Sequence, residues 1–413
     1  MLFKDERFGM FIHFGLYSQN GWHEQEMWRK RVPKERYVSL AETFCPEKGC
    51  AEAWVKAAKA AGMQYICFTA KHHDGFCLWD TKYTEYNVMN TPYGRDLLSE
   101  VAEACHRHGL LLELYYSQPD WHYPLSVNLG GDHQLDRPNP GDTPDEEGYK
   151  EYIRNQIREL LTGYGPIAAL FWDIPPTSVD PSINELARSL MPGILINDRG
   201  YDKGDYSTPE RHVPDGAFSR LTEGCQSVGA ESWGYRENED YFTAGYLCDS
   251  VDRILSRGGN YLLNVGPDGR GRIPEEALAL LKKVGDFYRC AKESYGECET
   301  VGGRPYPITR RGNTLYVHLP ASFVKTGVSL SPILAAPTRA CVLGCDRAVK
   351  WELAYLPTAF RQKEPLPSET LHVWSLPTEE CSGYPMILKL EFEDVTPVLL
   401  SLREGESMGR VIL

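Results

Sequence analysis

The sequence predicts an α/β fold: a (β/α)8-like TIM barrel followed by a C-terminal antiparallel β-sandwich domain. Three observations predict it. Short apolar runs alternate with amphipathic helical stretches from residue 8 to about residue 290. Polar clusters close several of those runs, as Asp173 closes Ala168-Ala169-Leu170-Phe171-Trp172. After Glu297 helical periodicity stops, and strand-like segments separated by proline and glycine take over. Alternation on this scale favours a barrel or a doubly wound sheet. No GxGxxG follows the first strand and no P-loop is present, so the nucleotide-binding version loses support and the barrel is preferred. The expected division is 1–296 for the catalytic barrel and 297–413 for the β domain.

Each element has its own signal. The first strand is Gly9-Met10-Phe11-Ile12-His13-Phe14-Gly15. A helix over 51–61 places Trp54, Val55 and Ala58 on one face and stops at Gly62. Residues 64–70 form a second buried strand, ending at Lys71-His72-His73-Asp74-Gly75-Phe76. The helix over 96–108 carries Leu97, Val101, Ala104 and Cys105 on one side and ends at Gly109. Strand 110–117 follows, then a helix over 145–161 with Tyr149, Tyr152, Ile153, Ile157 and Leu160 in one stripe. Strands at 167–173, 194–198 and 261–265 and a helix at 274–288, with proline in its first turn, complete the pattern. In the last third, 313–319, 338–343 and 384–390 read as strands of a sandwich. The segment 130–147 is a polar, proline-containing loop.

Composition narrows the function. A formal net charge of −13 argues against nucleic acid or an anionic membrane as partner, and favours a neutral or weakly polar ligand. The 24 tyrosines and 9 tryptophans supply aromatic faces of the kind that sugar rings stack on, although most belong in a core. Twelve cysteines occur without any CxxC pair, and the chain opens without a basic-then-apolar signal segment. Reduced thiols in a cytoplasmic protein are the expectation. No apolar run reaches membrane-spanning length, and a homo-oligomer stays open.

Strand C-terminal ends carry the active site in an α/β barrel. Asp173, at such an end, is a candidate nucleophile or base, weighed against a plain helix cap. A glycosidase needs a second carboxyl group. Glu223, Glu210 and Glu231 are the contenders, each commonly a solvated surface acid, and Glu113 is a rival within a strand. His13, His72 and His73 stand at strand ends, where neutral imidazoles can both donate and accept bonds from hydroxyls. Adjacent histidines on one strand point apart, and neither HxH nor HExxH occurs at these sites, so metal is not expected. Trp79 either flanks the pocket or packs, one of Tyr115 and Tyr116 should face the barrel mouth, and Arg211 either holds an anion or pairs on the surface.

At these residues the sequence resembles the α-L-fucosidases of glycoside hydrolase family 29. The matching pieces are Arg7-Phe8-Gly9-Met10-Phe11-Ile12-His13-Phe14-Gly15, His72-His73-Asp74-Gly75-Phe76 with Leu78-Trp79, Arg95-Asp96-Leu97-Leu98, and Tyr115-Tyr116-Ser117 with Asp120-Trp121. Ser232-Trp233-Gly234-Tyr235 and Gly258-Gly259-Asn260-Tyr261-Leu262-Leu263-Asn264-Val265-Gly266-Pro267 continue them in family order. The resemblance implies exo-cleavage of terminal α-L-fucosyl residues from oligosaccharides or glycoconjugates, by a retaining mechanism without cofactor. It implies Asp173 as nucleophile and Glu223 as acid/base, with Glu231 and Glu210 behind it. It further implies His13, Glu26, His72, His73, Trp79, Tyr116 and Arg211 around the sugar. Two departures stand out: Phe171 stands two residues before the nucleophile, where members usually carry Trp, with Trp172 next, and Thr222 stands where Trp is expected just before the acid/base. They motivate an alternative, a barrel that binds fucosylated glycans without turnover. A metal-dependent amidohydrolase barrel is a more distant alternative.

Overall fold

A computed structural model describes residues 2, 4–127, 133–211, 218–302, 306–330, 333, 335–345, 347–354 and 370–399. Residues 130–132 of the expected loop 130–147 lie outside the described residues. The chain forms two compact units, one of residues 1–212, 220–242 and 260–282, the other of residues 213–219, 243–259 and 283–413.

The first unit is built on seven parallel strands: β1 Phe8–Ile12, β2 Tyr65–Lys71, β3 Leu111–Ser117, β4 Ala169–Asp173, β5 Leu195–Ile196, β6 Glu223–Ser227 and β7 Asn260–Val265. Their order is β5-β4-β3-β2-β1-β7-β6. Crossover helices cover such a sheet, so its strands are buried on both faces and read as continuous apolar runs. All residues of β1, β2, β6 and β7 are buried. The expected helices form at Cys50–Ala60, Leu97–His108 and Glu146–Gly163. Asp96 and Asp145 cap the last two by accepting from the Ser99 and Gly148 amides. Two elements of this unit lack a legible pattern in sequence. Pro181–Leu190 is short and capped by Asp180, and β6, Glu-Gly-Cys-Gln-Ser, has no apolar run at all.

An irregular segment carries the ladder between the two outer strands. Asn197, just past β5, bridges Tyr206; Ser207 bridges Thr222, just before β6; and Glu210 bridges Cys225. The Glu223 amide donates to Ser207 O at 2.8 Å, the Cys225 amide to Pro209 O at 3.0 Å, and the Arg211 amide to Cys225 O at 2.9 Å. The stretch 206–211 therefore acts as an eighth stave. It ends, with Glu210, at the same rim where β4 ends with Asp173.

Strand parity sorts the interior into layers. Phe11, Cys67, Tyr115, Phe171, Cys225 and Leu262 pack together inside. Gly9 leaves room for the Tyr65 ring, whose atoms stand 2.5 Å from where a Cβ would sit. Beneath this layer Glu113 and Glu223 are both fully buried, and the charge of Glu113 acts on Glu223. Tyr206 donates to Glu113 Oε1 and Tyr65 to Glu223 Oε1, each at 2.6 Å. Burial pushes both carboxyls up, Glu113 to about 7 and Glu223 well above its ordinary value with the Glu113 charge adding to the rise. The pair is thus protonated at mildly acid pH, and its stabilising contribution is lost as pH rises from about 4.5 through about 7. A rise from 4.5 to about 7 is worth on the order of 3 kcal/mol. Glu223→Gln should consequently flatten the stability curve, its melting temperature gaining on the wild type by several degrees between about pH 5 and pH 8. Parallel curves for the two proteins would contradict the raised, buried carboxyl at Glu223.

The second unit contains the helix Ala244–Leu255 and the strands β8 Glu299–Gly302, β9 Ile308–Arg311, β10 Thr314–Leu319, β11 Gly327–Leu330, β12 Arg339–Val342, β13 Lys350–Ala354, β14 Thr370–Trp374 and β15 Met386–Glu391. They form an antiparallel five-stranded sheet, β12-β15-β10-β9-β8, and a three-stranded sheet, β11-β14-β13. Alternate residues of both sheets, among them Leu315, Val317, Val328, Leu330, Leu371, Val373 and Leu388, share one apolar core. That is sandwich packing. All twelve cysteines are free thiols, and no described helix is long and apolar enough to cross a membrane.

Candidate active site

A cavity at the C-terminal rim of the barrel is lined by residues from most of its staves. His13 follows β1, His72 and His73 follow β2, Tyr115 comes from β3, Phe171 and Asp173 from β4, and Glu210 from the eighth stave. Glu24, Gln25, His133, Arg199 and Trp233 also reach it from loops.

Asp173 is held through both carboxylate oxygens. Its Oδ2 accepts from the Tyr115 hydroxyl at 2.7 Å, and its Oδ1 accepts from the Ile174 amide and from Arg199 Nη1, both at 2.9 Å. His73 Nε2 stands 3.6 Å from Oδ2. Burial alone would raise the carboxyl; the charge that His73 gains on protonation at low pH, Arg199, the Tyr115 hydroxyl and the Ile174 amide bring it below its ordinary value. Asp173 is therefore an ionised carboxylate over the working pH range. Ile174 holds φ +58°, which a β-branched residue rarely adopts, and this turns its amide onto the carboxylate.

The three histidines are neutral, and the bonds of two of them define their tautomers. Asn264 donates through Nδ2 to Ser227 Oγ and Trp233 O, so its Oδ1 accepts from His13 Nδ1 at 2.7 Å. Ser117 donates its hydroxyl to Pro119 O and so accepts from His73 Nδ1 at 2.6 Å, leaving Nε2 a bare acceptor facing the cavity. Burial pushes His13 and His73 down to about 4 and His72 well below its ordinary value. His72 stacks on Tyr115 with ring centroids 5.6 Å apart and 8° between the planes. Behind them Lys71 and Asp120, both buried, pair at 3.0 Å, and the Trp121 amide donates to His73 O at 2.8 Å. Gly75 is obligatory there: its φ is +78°, and a Cβ would lie 2.2 Å from Asp120 Oδ1.

Five expected site residues lie elsewhere or play another part. Glu223 begins β6, so it sits at the bottom of the barrel rather than at the rim, sealed in the carboxyl pair with Glu113. Tyr116 points outward by strand parity and donates to Gln156 Oε1 at 2.6 Å; its neighbour Tyr115 faces the cavity instead. Glu26 accepts from Lys30 at 2.8 Å and Asn20 at 2.6 Å, away from the cavity, and Glu24 takes the lining position. Trp79 is fully buried, with its indole N–H on Glu159 at 3.1 Å. Arg211 lies under the pocket wall, its guanidinium 4.9 Å from the Trp233 ring and bonded to Ala230 O. Of the alternatives, Glu231 is outside the lining, its amide held by Glu239 at 3.0 Å.

Sequence reasoning passed over two contributors and underrated a third. Glu24 is buried, and its Oε2 accepts from Ser232 Oγ at 2.6 Å and from the amides of Trp233 and Gly234 at 3.0 and 3.1 Å. Its Oε1 is buried with no hydrogen-bond partner among the described residues, in a side chain that lines the cavity. Burial raises its carboxyl, but His23, Ser232 and His13 outweigh it and keep it below the ordinary value. Arg199 bonds Asp173 and Glu210 through one nitrogen, Nη1, and Thr208 O through Nη2 at 2.6 Å. The Asn197-Asp198-Arg199 run after β5 was the available signal for this arginine. Glu210, with a side chain 39% exposed, stands at the open edge. Burial and the nearby Asp173 charge raise its carboxyl against the pull of Arg199, so it holds a proton to higher pH than an ordinary glutamate.

Two carboxyl groups of opposed proton affinity, ringed by neutral imidazoles and aromatic faces, suit glycoside hydrolysis. The comparisons agree. A family model described as Alpha-L-fucosidase matches residues 1–293. An alpha-L-fucosidase of Dictyostelium discoideum is 28% identical over 337 residues, covering 71% of this chain and 71% of its own. The structure of alpha-L-fucosidase isoenzyme 1 from Paenibacillus thiaminolyticus matches with a TM-score of 0.81 at 31% identity, over 94% of this chain and 97% of that one. A GH29 alpha-L-fucosidase from Bacteroides thetaiotaomicron, trapped as a covalent intermediate with 2-fluoro-fucosyl fluoride, matches with a TM-score of 0.78 at 25% identity, over 94% of each chain. The chain belongs to the α-L-fucosidase family, glycoside hydrolase family 29.

Proposed function

We propose that this α-L-fucosidase is a retaining exo-enzyme that removes terminal α-L-fucosyl residues from oligosaccharides or glycoconjugates, with Asp173 as nucleophile and Glu210 as acid/base. The observation that carries the assignment is the single nitrogen, Arg199 Nη1, that bonds both carboxylates. Two oxygens sharing one donor lie within roughly 6 Å of each other. That favours the 5–5.5 Å class of retaining enzymes over the wider gap of roughly 6.5–9.5 Å that an inverting enzyme needs for its water.

In the first step Asp173 Oδ attacks the anomeric carbon as the glycosidic C–O bond breaks, and Glu210 gives its proton to the departing oxygen. In the second, Glu210, now a carboxylate, takes a proton from water; the water oxygen bonds to the anomeric carbon and Asp173 leaves. Tyr115 and the Ile174 amide steady the carboxylate in its attacking position. The neutral rings of His13, His72 and His73 and the free oxygen of Glu24 bind sugar hydroxyls as donors and acceptors, and the imidazoles place no positive charge beside the developing oxocarbenium ion. Phe11, Phe171 and Trp233 supply an apolar wall for the C5 methyl group.

Proton NMR of the wild type acting on 4-nitrophenyl α-L-fucoside tests the stereochemical part. The α anomer of fucose should appear first and mutarotate later; a first product in the β form would rule out double displacement.

A further inference from the structure

Next to the catalytic cavity a groove of about 960 Å³ runs between the segments 22–33 and 135–140. Trp22 and Trp28 border it together with Arg29, Arg31 and Arg137, against one acid, Asp136. Three cations facing one carboxylate are a local reversal in a chain of net charge −13. Asp136 neutralises little of it. Its contact with Arg31 is 3.7 Å long between side chains that are 86% and 83% exposed, a geometry that contributes almost nothing. Arg29 turns its Nε to a neutral amide oxygen, Gln25 Oε1, at 2.7 Å.

The groove is joined to the sugar pocket by two shared contacts. Trp28 stacks on His133, with centroids 5.3 Å apart and 27° between the rings, and donates its indole N–H to Gln134 O at 2.8 Å. His133 in turn lines the catalytic cavity, as does Gln25, the partner of Arg29. A glycan leaving the cavity past His133 therefore meets Trp28 and then the arginines. Indole rings receive the apolar faces of pyranoses, and guanidinium forks bind carboxylates and sulfates bidentately.

We propose that this groove receives the leaving-group glycan and selects fucosides whose aglycone carries an anionic sugar, as a carboxylate or a sulfate ester. The inference rests on the fucosidase reading above and adds its substrate class. An anionic substrate needs a cationic landing site to approach a protein of this negative charge, and the three arginines supply one beside the cavity mouth.

The test is kcat/KM of the full chain on three matched fucosylated oligosaccharides, one neutral, one carboxylated and one sulfated, at low salt and at about 0.5 M NaCl. Two or three exposed charge contacts, each worth a few tenths of a kcal/mol to about 1 kcal/mol, should together favour an anionic substrate by about three- to thirtyfold at low salt. The ratio should fall towards one at high salt. It should also fall in the double variant Arg31→Ser, Arg137→Ser, with the neutral substrate as reference on the same enzyme. A preference confined to carboxylate or to sulfate supports the proposal and names the group. A ratio of one or less for both anions, with the neutral substrate turned over, overturns it. A preference that survives both high salt and the double substitution overturns it as well. Failure to turn over any of the three, or an aryl fucoside, would sink the fucosidase reading instead.

Discussion

Asp173→Ala should lower kcat/KM for an aryl α-L-fucoside by about 10⁴-fold or more, a loss on the order of 5 kcal/mol of transition-state stabilisation. The size follows from losing the nucleophile altogether, because the cavity offers no second carboxylate at the end of β4 to replace it. The fold should survive. Arg199 keeps Glu210 and Thr208 O as partners, and the Tyr115 ring remains packed against Phe11 and Phe171. Asp173→Asn, which keeps the shape and can still accept from Tyr115, should be equally inactive and melt close to the wild type. Near-normal turnover by either variant would remove Asp173 from the chemistry.

Glu210→Ala should cost about 10²- to 10⁴-fold on a fucoside with a poor leaving group, the range that general acid catalysis supplies. With a good leaving group the first step needs no proton, so the covalent form should accumulate. Added azide should then restore turnover and give a fucosyl azide with the anomeric configuration opposite to that of the covalent intermediate, which is the substrate's own. Glu223→Ala should behave differently. It opens a cavity among Tyr65, Cys67 and Glu113 at the barrel bottom, so it should lower thermal stability and show no azide rescue. Rescue of the Glu223 variant and not of the Glu210 variant would return the acid/base role to Glu223.

The contrast between those two glutamates separates what is legible in the sequence from what is not. Asp173 is legible because a carboxylate closing a buried run breaks a strong pattern, and the rule that strand ends carry the chemistry applies directly. Glu223 belongs to a strand with no apolar run, and its depth follows only from its place as the first residue of β6. Glu210 lies on a stave held by isolated bridges, which has no periodicity to detect. Tyr115 and Tyr116 are a matter of parity, and parity needs the register of Ser117 opposite Asp173 to resolve it. Glu24 and Glu26 differ by two places, and only the amides of Trp233 and Gly234, some 209 and 210 positions on, choose between them. The barrel, the sandwich and the histidine cluster are local and periodic, whereas the misplaced residues depend on long-range pairing.

If Asp173 is the nucleophile, it forms the covalent bond to fucose, and that bond can be trapped. The wild type would be incubated with 2-deoxy-2-fluoro-fucosyl fluoride and analysed by intact mass and peptide mapping. One fluorofucosyl adduct per chain is expected, located on Asp173 and absent from the Asp173→Asn variant. An adduct on any other residue, Glu113, Glu210 and Glu223 included, would contradict the assignment.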